Sequence, residues 1–145
     1  MELAFRRSTE ADKDAVWELH RLGYEEVVSA QFGHWDVEEQ RARFDVKWAD
    51  AGYSVVLLEG VVVGAFSTSV SSESLFLGEL LVLPAHQNRG IGTRVVERLQ
   101  AEARRLALPL ALRVLHLNRA RGLYERLGFR TVGRTETHFL MRWQG

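Results

Sequence analysis

Hydrophobic and polar positions change period several times along the chain, and each change predicts a new element. Leu3-Ala4-Phe5 opens as a short strand. Thr9 stands three residues before Asp12, a near-match to a capping box, and Ala15, Val16, Leu19 and Leu22 follow at helical spacing to about Leu22. Residues 36–49 predict a second helix with Asp36 as its cap, on looser apolar spacing. From Ser54 the pattern turns β-branched. Residues 54–58 and 61–66, joined by Glu59-Gly60, read as a hairpin. Residues 74–83 form a third run with apolar positions on both faces, which predicts a strand covered on both sides, and Pro84 ends it. A glycine-bearing loop leads into a helix from about Gly92 to Leu106, with Val95, Val96, Leu99, Ala103 and Leu106 facing inward. Pro109 opens a strand through Leu115. Asn118 then caps a short helix reaching Leu127, and Gly128 supplies the left-handed position that ends it. Residues 129–133 and 138–143 are two closing strands.

The order β-α-α-β-β-β-α-β-α-β-β predicts an α/β fold (α+β, mixed sheet) with helices on both faces. Residues 75–115 read as strand, loop, helix, strand. Such a right-handed crossover sets a helix N-terminus at the carboxyl end of a strand.

Composition narrows the class. At 145 residues with two prolines and 46% hydrophobic content, the chain reads as one domain, residues 1–145, able to bury roughly two-thirds of its unfolded surface. It has no cysteine, which removes disulfides and thiolate metal sites, and no metal is expected. No apolar run nears the roughly 20 residues of a membrane span, and MELAFRRSTE lacks a signal-peptide apolar region. The expectation is a soluble, cytoplasmic protein with no membrane partner.

Net charge is zero, from 19 basic and 19 acidic residues, which argues against a nucleic-acid partner. The zero hides a split. Residues 1–79 carry 15 acids and 7 bases, a balance of −8; residues 80–145 carry 4 acids and 12 bases, a balance of +8. Solvated helix faces would produce this, and so would an anionic ligand on the C-terminal half with a cationic one on the other.

The chemistry concentrates at Gln87-Asn88-Arg89-Gly90-Ile91-Gly92-Thr93, between a strand and an amphipathic helix. Helix N-termini offer free N–H groups and partial positive charge, which suit phosphate, and glycines let the backbone approach an anion. The nucleotide-binding P-loop pattern fails for want of its lysine. The dinucleotide fingerprint fails because Val95 stands where its third small residue belongs. That removes a nucleotide-binding module and leaves Q-x-x-G-x-G after a strand ending L-x-V-x-P.

Leu80-Leu81-Val82-Leu83-Pro84 with Gln87 to Gly92 resembles the acetyl-CoA motif of the GNAT superfamily of N-acetyltransferases. Asn118 followed by Leu123-Tyr124-Glu125-Arg126-Leu127-Gly128-Phe129 resembles that family's second signature. The resemblance covers nearly the whole chain, though residues 1–50 match in pattern only. It implies a splayed central sheet, acetyl-CoA as co-substrate and transfer of acetyl to a primary amine of a small molecule or peptide, by direct attack in a ternary complex. It implies that the loop of Gln87, Asn88, Arg89, Gly90, Ile91, Gly92 and Thr93 holds the coenzyme pyrophosphate. The backbone of Leu80, Leu81 and Val82 would pair with the pantetheine arm. Asn118 would contact that arm, and Tyr124 would protonate the departing thiolate. A homodimer is compatible with it.

Each residue also has a plainer reading. The glycines could merely shape a helix entry, Arg94 could be a surface side chain, Asn118 a helix cap and Tyr124 packing. Glu79, on a strand face with Leu75, Leu77, Leu81 and Leu83, is the leading general base, since desolvation would raise its pKa; its alternative is a structural ion pair, with ordered water as base. His116 and His138 are weaker candidates. The acceptor pocket is expected from Tyr24, Glu25, Glu26, Phe32, His34, Trp35, Asp36, Glu38 and Glu39, and from His138 and Phe139, with Trp35, Glu79 and His138 foremost. The rival in another class is a non-catalytic acyl-CoA-binding or sensor domain.

Overall fold

The computed structural model describes residues 1–50 and 52–145. Its elements are β1 (Leu3–Arg7), α1 (Lys13–Phe32), α2 (Val37–Asp50), β2 (Ser54–Leu58), β3 (Val61–Val70), β4 (Leu75–Val82), α3 (Ile91–Leu106), β5 (Leu110–Leu115), α4 (Ala120–Arg126), β6 (Arg130–Arg134) and β7 (His138–Trp143). This is the element order that the hydrophobic pattern predicts. The largest departure is α1, which continues through Gly23 to Phe32 and stops at Gly33. Gly33 sits at φ +86°, and its N–H donates to the Ser29 carbonyl at 2.8 Å. A mid-helix glycine costs about 1 kcal/mol relative to alanine. Beyond Gly23, Tyr24 packs against the core, and the Arg21–Glu25 ion pair spans the glycine. Ala15 and Leu22, expected inward, are exposed.

The chain forms two compact units, Met1–Ser67 with Glu79–Arg89, and Thr68–Gly78 with Gly90–Gly145. In the first, strands follow the order β1-β2-β3-β4. β1 and β2 are antiparallel, with Leu3 opposite Leu58 and Arg7 opposite Ser54, and β2 and β3 are antiparallel with an irregularity at Val56/Leu57. The core is Val16, Leu19, Phe44, Tyr53, Val55, Ala65 and Leu81. Gly64 permits a close backbone approach: a Cβ there would lie 2.7 Å from the Leu81 carbonyl oxygen. Ahead of α1, Asp12 accepts the Thr9 N–H at 2.8 Å and two Arg6 hydrogen bonds at 2.7 and 3.1 Å. The Arg6 guanidinium, with the Thr9 N–H, holds the Asp12 carboxyl down at about 2. Asp36 Oδ1 accepts the Glu39 N–H at 3.1 Å, the expected cap.

In the second unit the order is β4-β5-β7-β6. β4 runs parallel to β5 through Leu75–Leu110, Phe76–Ala111 and Leu77–Leu112. β5 pairs antiparallel with β7, and β7 with β6. α3 buries Ile91, Val95, Val96, Leu99 and Ala103, together with Gln100, while Leu106 stays half-buried. Gln100 Nε2 donates to the Leu127 carbonyl at 2.8 Å and so ties α3 to the end of α4. β4 alternates buried and half-buried positions, so its two faces are not equally covered. Among the described residues no helix is long and apolar enough to cross a membrane.

Candidate active site

After β4, residues Pro84–His86 make a single 3₁₀ turn, and Gln87 Nε2 reaches back to the Val82 carbonyl at 3.1 Å. Two residues of the loop are left-handed, Asn88 at φ +62° and Gly90 at φ +83°. Asparagine tolerates that region and glycine adopts it freely. Gly90 is the N-cap of α3, and its carbonyl accepts the Arg94 N–H at 3.0 Å. The N–H groups of the helix's first turn have no intrahelical acceptor and carry partial positive charge. Nothing lies within 4 Å of where a Gly90 Cβ would be, so the backbone there is open to a ligand. Arg89 and Arg94 are exposed on either side, with Arg89 Nη1 at 3.4 Å from His86 Nδ1. An anion is the ligand this loop suits.

Before the loop, Leu81 is buried and Leu80 and Val82 are half-buried. The Leu83 N–H donates to the Val63 carbonyl at 2.9 Å, fixing the end of β4. Further along, Asn118 Oδ1 accepts the Ala120 N–H at 2.9 Å, while Arg119, not Asn118, stands at the N-cap of α4. Tyr124 lies in α4, 6% exposed, with its ring edge-on to Phe129 at 5.6 Å. Burial pushes its hydroxyl above the ordinary phenol value, so at neutral pH it carries a proton to donate.

The chain belongs to the acetyltransferase (GNAT) family. The family's model matches residues 9–129, and the match takes in the loop, the β4 end and α4 together. The PaiA N-acetyltransferase of Thermoplasma acidophilum, solved with coenzyme A, superposes with a TM-score of 0.82 at 14% identity, covering 100% of both chains. The ribosomal-protein-S18-alanine N-acetyltransferase of Escherichia coli gives 0.73 at 19% identity, over 99% of this chain and 94% of that one. YncA of Salmonella typhimurium, solved with acetyl-CoA, gives 0.62 at 22%, over 99% and 94%. At these identities the likeness shows the fold, which is the mixed-sheet fold read from the sequence. No curated protein sequence matches the chain.

Glu79 departs from expectation for an acetyltransferase base activated by burial. It is 7% exposed on the β4 face with Leu75, Leu77 and Leu81, as the alternation predicts. Burial does push its carboxyl up, but His20, the Lys47 ammonium and the Tyr53 hydroxyl outweigh it, and the carboxyl sits below its ordinary value. Tyr53 donates a hydrogen bond to Glu79 Oε2, Lys47 Nζ lies 3.4 Å from Oε1, and His20 Nδ1 lies 3.1 Å from Oε1. Sequence reasoning expected a raised pKa because burial alone is visible in the pattern; these three partners come from α1, α2 and the residue just before β2.

Trp35 is half-buried, 6.2 Å between ring centroids from His20. His138 belongs to the second unit, opposite Leu115, with Nδ1 at 2.7 Å from Thr137 Oγ1. Burial, then Arg113 and His116, hold it below the ordinary imidazole value. The His116 ring lies tilted against Phe139, centroids 4.7 Å apart, and the Arg121 guanidinium covers the Phe139 ring at 3.8 Å. Four of the 15 acids of the N-terminal half form helix-surface pairs: Glu18 and Glu25 with Arg21, Asp45 with Arg41 and Lys13, Glu39 with Arg43. His20 and Gln100 were missed, since a polar residue at an inward helical position is indistinguishable by period from a surface one.

Proposed function

We propose that the chain transfers acetyl from acetyl-CoA to a primary amine of a small molecule or peptide, by direct attack in a ternary complex. The observation that carries this is the Gln87–Thr93 loop, with left-handed Asn88 and Gly90 leading into the N-terminus of α3. Its open backbone fits the coenzyme's pyrophosphate. Family membership and the coenzyme A and acetyl-CoA complexes of the Thermoplasma and Salmonella proteins support the same assignment.

In this reading the backbone of Leu80, Leu81 and Val82 meets the pantetheine arm and donates to the thioester carbonyl, where negative charge develops. Asn118 contacts the arm while its Oδ1 holds the Ala120 N–H. Tyr124 gives its proton to the departing thiolate, a role suited to a phenol that burial keeps protonated. The ionised Glu79 acts on the amine side, with Trp35 at the acceptor. With no cysteine in the chain, no acyl-cysteine intermediate intervenes.

A screen of amines with acetyl-CoA, reading thiol release, tests this; spermidine, tyramine, and alanine-initiated and lysine-containing peptides span the class. Acetyl-CoA at about 100 times its Kd adds roughly 2.7 kcal/mol to the native state, a Tm rise of about 5–10 °C. A Tm rise without turnover on any amine would favour the sensor reading; no Tm rise at millimolar acetyl-CoA would sink both.

A further inference from the structure

His20 has no role in that account, yet its surroundings are unusual. It is only 8% exposed and is enclosed by aromatic rings. Trp17 stacks on it at 5.6 Å and 19°, Tyr24 lies at 5.0 Å, Phe44 at 5.9 Å and Trp35 at 6.2 Å. Its Nδ1 faces Glu79 Oε1 at 3.1 Å, close but off the line of a straight hydrogen bond. Its Nε2 is buried and has no hydrogen-bond partner among the described residues, and neither has Trp35 Nε1 in the same aromatic group. A buried polar atom left unpaired is costly, so His20 Nε2, with Trp35 Nε1 unpaired in a neighbouring ring, points to a ligand that pairs it.

The surrounding charges sort the roles. From β4 comes the Glu79 carboxylate; from α2 come Lys47, against that carboxylate, and Arg41, whose guanidinium lies 5.2 Å from the Trp17 ring and 5.7 Å from Phe44. Tyr53, ahead of β2, donates to Glu79, and Tyr24 of α1 faces His20. Glu79 is thus engaged from three sides, while His20 presents a free ring nitrogen.

We propose that His20 Nε2 accepts the proton of the attacking amine and that Glu79 is the positioning residue that orients the ring through Nδ1. The inference rests on the acetyltransferase reading above. Two protons leave the acceptor's ammonium. One passes to His20 Nε2 and on to water, and the freed lone pair forms the C–N bond to the acetyl carbon as the C–S bond breaks. The other, through solvent, restores the proton that Tyr124 gives the thiolate.

The test has two arms. In the wild-type protein with ¹⁵N-labelled histidine, NMR should show His20 as the Nδ1–H tautomer, with Nε2 bare; an Nε2–H tautomer overturns the proposal whatever the enzyme does with acetyl-CoA. In the second arm, kcat/KM of His20→Gln is followed against pH with the fastest amine of the screen. The variant should be slower by about 100-fold or more near neutrality. The ratio to wild type should shrink towards one as pH nears the amine's own pKa, about 10, where the amine no longer needs a base. The acetyl-CoA Tm rise should persist in the variant. A ratio that stays constant with pH marks a structural role for His20 and overturns the proposal. A missing Tm rise in the wild type is instead the failure of the acetyl-CoA reading. Glu79→Gln should leave the Tm rise in place but mix the His20 tautomers; an unchanged tautomer removes Glu79 as the positioning residue.

Discussion

Gly64→Ala measures how closely β3 must hold the strand that carries the proposed coenzyme contacts. The added Cβ would lie 2.7 Å from the Leu81 carbonyl oxygen, with Val56 Cβ at 3.6 Å and Cγ2 at 3.7 Å. Carbon–oxygen contacts normally settle near about 3.3–3.6 Å, so one backbone must yield by about 0.6–0.9 Å. The obstructing atom is main chain and cannot rotate away as a side-chain tip would. Overpacking of this kind costs about 1–3 kcal/mol. At about 2–4 °C per kcal/mol for a domain of this size, Tm should fall by about 2–12 °C. Because Leu81 lies within the Leu80–Val82 stretch, KM for acetyl-CoA should rise as well. Gly122→Ala is the matched control. Its Cβ would meet only Arg126 Nη1, at 3.5 Å, and alanine in α4 should gain about 0.5–1 kcal/mol. Thermal and urea unfolding of both variants, with acetyl-CoA kinetics, decide the matter. A Gly64→Ala protein with wild-type Tm and wild-type KM would refute the claim that close β3–β4 contact shapes the coenzyme strand.

Tyr124→Phe should lower kcat by about 100-fold, the lower end of what a general acid supplies, while the acetyl-CoA Tm rise is retained; an unchanged kcat under conditions limited by chemistry would remove Tyr124 from the reaction. Asp12 makes a separate, acid-range prediction. Its folded value of about 2 lies below the ordinary value of about 3.9, so its contribution is fully present above pH 4 and is lost as pH falls towards 2. Discounted for the half-exposed Arg6 partner, it amounts to about 1 kcal/mol. Asp12→Asn should therefore lower Tm at pH 7 and leave it near wild type at pH 2; an equal loss at both would show that the carboxylate's charge is not what stabilises.

The sequence by itself determined the element order, because hydrophobic period is a local property that each strand and helix carries in its own residues. It also marked the loop proposed to hold the coenzyme, because its glycines and the helix entry lie within a few neighbouring residues. The cap at Asp36 and the stop at Gly128, φ +94°, were legible for the same reason. The length of α1 was not, since the apolar spacing runs out near Leu22 and the packing of Tyr24 against the core carries the helix past Gly23. The state of Glu79 was the clearest loss. Its burial follows from alternation along β4, but the sign of its shift depends on His20, Lys47 and Tyr53, which lie 26 to 59 residues away in the chain. Charge interactions fall off with distance in space and are blind to distance along the chain. Only the tertiary structure could bring those groups to one carboxylate and leave a histidine nitrogen free beside it.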